Sequence, residues 1–540
     1  MLQIHGSGGE AVLLCVRSLI QGFSPQGKHE KNAVAKPYTI EEIIDGLHQL
    51  NVQRTAEALA LWKGEKAPLE SHRYYEQAKR LLTHETLNQI DHIENRRQRI
   101  RLRHALIDHM LQRKLLPHEL ELRVWMHGAA AHINGHKVYL RNLIPWCQKE
   151  SHYDERRILQ RETDILSKFL KPFALNYWTL LLASLKEDFG YGNYIDYCYH
   201  KKGIDYPYYY RRLKDLVKET DDLYFSAMEL WVQDRYHQPL SSLNRFDAIH
   251  LFGMADFDAF LGGSVVSLVF SLFEGWGINI ETLPGLKLDL KAYQGKSAQA
   301  MCFILEIPDE VYILMKPQGG WVDLETLLHE MGHGLSSVLT SPSLSLVDRE
   351  MTTTFCLSEA FAFLFQNLTH SIPFLVDHLG LKKSAAEKIR YFGFLKDLSL
   401  FRRYAGKFIS EYEMFLDGDI EDGQRYSRIM GQYTGFHHQP NSHLLDLVPE
   451  FYSLDYVLAW MASPILSSHL QEKVGSRWLG NVETGNILRK WWSRGNQYDI
   501  FEFHKMNGLE ALNPAPLLEG WKRILGGGGS FLMHNSPRAS

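Results

Sequence analysis

Apolar residues recur three and four positions apart along most of this chain, the period of a helix with one buried face. Thr39 and Glu42 stand in a capping-box arrangement, and Ile43, Leu47, Ala56, Leu59 and Leu61 follow at helical spacing. The same period continues through residues 81–111, 155–170, 176–189 and 209–232, with prolines between the segments. It predicts an N-terminal helical region over residues 38–255. Residues 1–37 show no such period and are expected to be poorly ordered. No fixed-period repeat emerges, so a solenoid is not indicated.

One stretch breaks the pattern. Residues 286–315, LKLDLKAYQGKSAQAMCFILEIPDEVYILM, contain alternating and continuous β-type runs divided by Gly295 and by Pro308-Asp309. Helical text resumes at Asp323 and runs to about Leu525. Gly526 to Gly529 then open a flexible tail over 526–540. The expected architecture is mainly α, one large helical body with two lobes and a small sheet. Its second region spans 256–525, with the sheet inside it.

Phe260 to Ile278 is nearly long enough to span a bilayer, yet it carries Glu274, four glycines and three serines. A helix buried inside the protein is the reading, and no membrane partner is expected. A composition of 45% hydrophobic and 23% charged residues excludes a disordered or collagen-like chain. The chain has 540 residues, 59 basic and 63 acidic, for a net charge of −4. That gives no basic excess for nucleic acid. Five widely spaced cysteines without a CxxC pair read as free thiols in a reducing compartment, which places the protein in the cytoplasm. Ala11 to Ile20 is interrupted by Arg17 and lacks a basic segment before it, so a secretory signal is not expected.

The chemistry concentrates at His329-Glu330-Met331-Gly332-His333. On a helix, residues four apart share a face, so both imidazoles can reach one metal ion. Glu330 lies about 60 to 100° round the same side, within reach of water at that ion. Zinc lowers the pKa of such water, and a carboxylate can take its proton. Among 26 histidines such a pattern can arise by chance, but its context is helical. Asp323 reads as an N-cap, and Leu324, Leu327, Leu328, Met331, Leu335 and Val338 form an apolar stripe.

A catalytic zinc needs a third protein ligand. Leu339 stands where a metzincin would have histidine, and Thr353 where a thermolysin-like spacing would have glutamate. Glu350 is a poorly placed substitute. Glu359 is the better candidate. In CLSEAFAFLF it stands among Cys356, Leu357, Phe361, Phe363 and Leu364, where a lone carboxylate is costly to bury unless paired or metal-bound. Glu325, four residues before His329, reads either as an orienter of that imidazole or as a solvated charge of the first helical turn.

VDLETLLHEMGHGL, with Glu359 placed 26 residues after the second histidine, resembles the thimet oligopeptidase and oligoendopeptidase F family of zinc peptidases. LDLKAYQGKSAQAMC (288–302) and VYILMKPQGG (311–320) resemble its two strand segments. HLLDLVPEFYSLDYVLAW (443–460) and RKWWSRGNQYD (489–499) resemble the C-terminal part of bacterial members. The resemblance covers residues 180–520. It implies a two-lobed helical fold with a deep channel and the small sheet beside the HExxH helix. It further implies one Zn2+ per chain on His329, His333 and Glu359, Glu330 as general base, and oligopeptide substrates. The family's oxyanion donors correspond to His443, Tyr452 and Tyr456, with His437 and His438 as rivals to His443. Gly295, Ser297, Ala298 and Ala300 would let an extended substrate pair with the strand edge, or serve close packing alone.

Two other readings compete. A Taq-type metallocarboxypeptidase is also helical with HExxH, but its third-ligand signature differs from LSEAFA. A non-catalytic peptide-binding relative is disfavoured by the retention of Glu330.

Overall fold

The computed structural model describes residues 37–65, 69–149 and 152–527. The expected loose N-terminal segment and nearly all of the Gly-rich tail lie outside the described residues. Helices dominate. Those used below are α1 (Ile40–Lys63), α2 (Arg96–Gly128), α3 (Tyr153–Glu187), α4 (Trp321–Val338), α5 (Cys356–Gln366), α6 (Lys383–Asp417), α7 (Gly423–Thr434) and α8 (Tyr452–Val474). The Thr39–Glu42 capping box opens α1 as the sequence predicts, with both reciprocal bonds made.

Several boundaries move. The 155–170 and 176–189 segments are one helix, α3, which passes through Pro172. The 81–111 segment divides into His84–Asp91 and α2, and the 209–232 segment into Tyr206–Glu219 and Asp221–Tyr236. A hairpin also interrupts the N-terminal helical region. Strands β1 (Ala130–Ile133) and β2 (His136–Tyr139) are joined by Asn134 and Gly135, both at positive φ. That dipeptide is the strongest short hairpin signal, and the helical reading of this region passed over it.

The small sheet forms where expected. Strands β3 (Leu286–Asp289), β4 (Met301–Glu306) and β5 (Glu310–Leu314) stand in the order β3-β5-β4, with β3 parallel and β4 antiparallel to β5. The β4–β5 turn falls at Pro308-Asp309. One face of the hairpin packs on α1, with Leu59 and Trp62 against Phe303, Leu305 and Leu314. The other meets α4: a Cβ at Gly334 would lie 2.7 Å from Ile313 Cδ1. Residues 295–300 are not strand. Ser297 donates its amide to Trp62 O, and the Lys296 ammonium is fixed by Asp289 and by the carbonyls of Asp289, Lys291 and Met315. The small residues here let a buried lysine peg the loop to the sheet.

The largest hydrophobic core cluster among the described residues runs from Ile43 to Leu525, across both regions of the chain, with two smaller clusters beside it. The 260–278 segment is not one helix: Val265–Gly275 forms α-helix after a 3-10 turn, and the preceding helix meets it at 79°. No single helix among the described residues is long and apolar enough to cross a membrane. Of the described cysteines, Cys198, Cys302 and Cys356 are free thiols.

Candidate metal centre and channel

The centre is built by three helices in layers, α4 against α5 against α8. Gly332 sets the first spacing. A Cβ there would stand 2.5 Å from Ala362 Cα, 2.7 Å from Ala362 N and 2.7 Å from Phe361 O, all backbone atoms. Only glycine at this position lets α4 and α5 approach so closely. The approach brings Glu359 under the two histidines. Glu359 Oε2 lies 3.5 Å from His329 Nε2 and 3.7 Å from His333 Nε2. One ligand atom from each residue falls within a 4.8 Å span.

The remaining atoms of the trio are already committed. His329 Nδ1 donates to Gln366 Oε1 at 2.8 Å, and His333 Nδ1 faces Ser358 Oγ at 2.8 Å. Both partners lie on α5, Ser358 immediately before Glu359 and Gln366 two helical turns after it. These bonds fix the ring planes and leave the Nε2 lone pairs turned inward. Glu359 Oε1 accepts from the Tyr452 hydroxyl at 2.5 Å, whereas Oε2 is buried with no hydrogen-bond partner among the described residues. An orphaned carboxylate oxygen facing two imidazole lone pairs is an incomplete arrangement in a protein interior. Two nitrogens and one oxygen at this spacing fit a tetrahedral zinc with one open position.

Electrostatics agree with the geometry. Burial lowers His329 to about 4, with the Gln366 bond opposing slightly, and holds His333 well below its usual value. Both rings are therefore neutral, the form that ligates metal. Burial raises Glu359 to about 8 against the pull of the Tyr452 hydrogen bond. Burial likewise raises Glu330 to about 7, although the Cys302 amide of β4 donates to it. Glu330 thus sits between the outer strand of the sheet and the trio.

The sequence reading of the local helix ends needs correction. Helix α4 begins at Trp321, with Gly320 as N-cap, so Asp323 is not the cap residue. Its carboxylate instead accepts from the amides of Gln318 and Gly319, tying the preceding loop to the first turn. Glu325 neither orients His329 nor faces solvent: it is buried in an ion pair with Lys396 at 2.5 Å. Glu350 is occupied elsewhere, accepting from the Ile307 amide at 2.6 Å.

Three residues that position the centre were not singled out from sequence. Gln366 and Ser358 are visible only once α5 is known to face α4. The third is Asp455, fully buried in α8. It pairs with Lys202 at 2.9 Å and accepts from the Phe355 amide at 3.0 Å, holding the start of α5. The chain enters α8 through Glu450 and Phe451, both at positive φ (61° and 51°). Glu450 is held there by Lys201 at 2.7 Å. Non-glycine residues in this region are strained, and the strain is spent placing Tyr452 over Glu359.

The tyrosines and His443 separate in space. Tyr452 is bound to Glu359. Tyr456, one turn on, meets Tyr452 edge to face at 5.1 Å and lies tilted 4.8 Å from Tyr404, and its hydroxyl makes no hydrogen bond among the described residues. Both tyrosines line a cavity of about 800 Å³. His443 does not join them. Its Nδ1 lies 2.9 Å from Pro440 O and its Nε2 2.9 Å from Ile420 O, so both ring nitrogens are committed to backbone. Of the three neighbouring histidines, His438 is the one on the cavity wall. The cavity runs between α2 and α3 on one side and α6 and α8 on the other, with Gln299 before β4 and Phe355 before α5 at its border.

No protein-family model and no curated protein sequence matches this chain. Solved structures do. The PZ peptidase A complex with inhibitor 2 superposes with a TM-score of 0.60 at 14% identity, covering 95% of this chain and 100% of that one. A structure from Bacillus anthracis str. Ames assigned as an oligoendopeptidase F gives 0.60 at 14% identity, covering 98% and 96%. A 3.1 Å X-ray structure with the same assignment gives 0.58 at 13% identity, covering 98% and 97%. Over nearly its whole length, the chain has the mainly α fold of the oligoendopeptidase F structures.

Proposed function

We propose that this chain is a zinc-dependent endopeptidase that hydrolyses short oligopeptides. The observation that carries the reading is the convergence of His329 Nε2 and His333 Nε2 on the orphaned Oε2 of Glu359, beside a channel. The peptidase names of the structural neighbours support it. One zinc ion held by these three side chains would polarise the scissile carbonyl and lower the pKa of attacking water.

The chain's own groups do the rest. Glu330, raised by burial to about 7, is matched to accepting a proton from water at its carboxylate near neutral pH and returning it to the departing amine. Tyr456, with its hydroxyl unbonded at the channel wall, is the better donor to the carbonyl oxygen as charge builds there. Tyr452 serves the centre by holding Glu359 Oε1. His443 is set aside for this role because both its nitrogens are engaged. Strand β4 offers its outer edge next to Glu330, where an extended peptide can add as a further strand. The cavity of about 800 Å³ that reaches the centre at Tyr452 and Tyr456 would admit an extended chain and not a folded one, which would first have to unfold at up to about 5 to 15 kcal/mol. A cytoplasmic place, suggested by the free cysteines, suits an enzyme that clears short peptides.

The test is mass spectrometry of a peptide acetylated and amidated at its ends, in a series of roughly 5 to 20 residues, with and without chelator. Intact casein and a native globular protein run alongside. Internal cleavage of the short peptides, abolished by chelator, is expected, with the folded protein untouched. Cleavage of the folded protein at internal sites would refute the channel reading, and no product from any peptide would leave a binding protein.

A further inference from the structure

One part of the cavity wall carries more cationic than anionic side chains. Arg245, Arg403 and Lys407 all line the cavity, with Tyr404, Tyr456 and His438 between and around them. Arg403 spends one nitrogen on Asp446, at 2.8 and 2.9 Å from its two oxygens. Lys407 is 4% exposed, yet its ammonium makes no hydrogen bond among the described residues. Its nearest carboxylate oxygens are Asp446 at 3.9 Å and Glu411 at 4.0 Å. Arg245 is half-buried, and its guanidinium makes no hydrogen bond or ion pair among the described residues. Burial alone would raise the Asp446 carboxyl, but Arg403, Lys407 and Arg245 together hold it well below its usual range. Glu411, raised by burial to about 7, lies behind Lys407 and is not part of the cavity lining. The other carboxylates of the wall, Asp108 and Glu450, are already bound to Lys201 at 2.6 and 2.7 Å. Three cations therefore face one fully ionised carboxylate. The hydrogen-bonding capacity of the Lys407 ammonium and the Arg245 guanidinium is not used by the described residues, so both can receive an anion from the cavity.

The cluster is connected to the metal centre by a row of contacting rings. Tyr404, next to Arg403, lies 4.8 Å from Tyr456, which lies 5.1 Å from Tyr452, whose hydroxyl binds Glu359. An extended peptide advances about 3.3 Å per residue, so the two ring-to-ring steps of 4.8 and 5.1 Å span at most about three residues. We infer that Arg245, Arg403 and Lys407 form a subsite for a carboxylate of the substrate peptide, either its free C-terminus or an acidic side chain. Planar guanidinium groups bind carboxylates in a forked pair, and the ammonium adds a point charge. The inference rests on the peptidase reading, and it adds a preference that reading does not contain.

The experiment measures kcat/KM for one cleavable peptide in four forms. These are a free C-terminal acid, the C-terminal amide, the amide with glutamate three residues beyond the cleaved bond, and the same with glutamine. Each is run on the wild type and on Arg245→Gln and Lys407→Met, with thermal melting to confirm folding. The free acid or the glutamate peptide is expected to exceed its neutral partner by about tenfold, the ratio that about 1.4 kcal/mol of differential binding gives. The gain should lie in KM, and both variants should shrink it while cutting the amide peptide as the wild type does. Preference for the acid alone assigns the C-terminus, and preference for glutamate alone assigns a side chain. Cleavage of all four forms at equal kcat/KM would overturn the subsite and leave the peptidase reading intact. Cleavage of none would overturn the peptidase reading, and the subsite with it.

Discussion

Gly332→Ala separates two opposing effects within a single residue. In a helix interior, alanine in place of glycine is worth about 1 kcal/mol of added stability, so propensity alone predicts a firmer α4. The tertiary structure predicts the reverse. The new Cβ would meet Ala362 Cα at 2.5 Å, about 0.9 Å inside ordinary contact, and every atom it meets is backbone that cannot rotate away. Helices α4 and α5 must therefore part by a large fraction of an ångström. Overpacking of this kind costs about 1 to 3 kcal/mol, which outweighs the propensity gain. The consequence for the centre is larger. Metal-ligand distances tolerate about 0.2 Å, while Glu359 and the histidines are carried by the two helices being separated. A displacement near 1 Å is expected to cost on the order of 100-fold in turnover. The assay is zinc affinity by competition with a chromogenic chelator, with peptide hydrolysis and melting temperature on the same samples. Gly334→Ala is the control: it gains the same propensity, but its Cβ meets the Ile313 Cδ1 methyl at 2.7 Å, a side-chain end that can move. Wild-type zinc affinity and turnover in Gly332→Ala would refute the argument that this glycine sets the ligand geometry.

Three further outcomes are expected. Glu330→Gln should retain zinc by elemental analysis and lose nearly all turnover, because the amide keeps the shape and removes the proton acceptor; substantial cleavage would end the general-base assignment. Glu359→Ala should lose zinc while Glu350→Ala keeps it, since Glu350 is bound to the Ile307 amide; the opposite result would transfer the third ligand to Glu350. The metal-free protein should lose stability as pH rises. Burial holds Glu330 at about 7 and Glu359 at about 8, both above the ordinary 4.5, so the native state keeps protons that the unfolded chain has released. Their contribution is full below about pH 4.5 and is lost as pH passes 7 and 8. Denaturant midpoints of chelated protein should fall across this window, and Glu330→Gln with Glu359→Gln should flatten the slope; an unchanged slope would show that the two carboxyls are not the cause.

The sequence by itself determined the helical body, the small sheet and the HExxH face, because these depend on periods of 3.6 and 2 residues and on spacings of four. It also marked Glu359, since a carboxylate in an apolar run needs a partner. It misplaced the start of α4, because a glycine in an unusual backbone conformation, not the nearby Asp323, precedes the first turn. It divided α3 at Pro172 and passed over the Asn134-Gly135 hairpin, where a local signal lay inside a helical stretch. Only the tertiary structure decided what depends on helices meeting. It assigned Gln366 and Ser358 to the imidazoles, Lys396 to Glu325, and the backbone of Ala362 to Gly332. It also removed His443 from the channel and put His438 there. Those partners lie from about 25 to 70 residues apart in the chain, and His443 is bound to the carbonyls of Pro440 and Ile420 while His438, five residues earlier, lines the cavity. Spacing along a chain carries no information about that, because the choice is made by packing between helices rather than by any period within one.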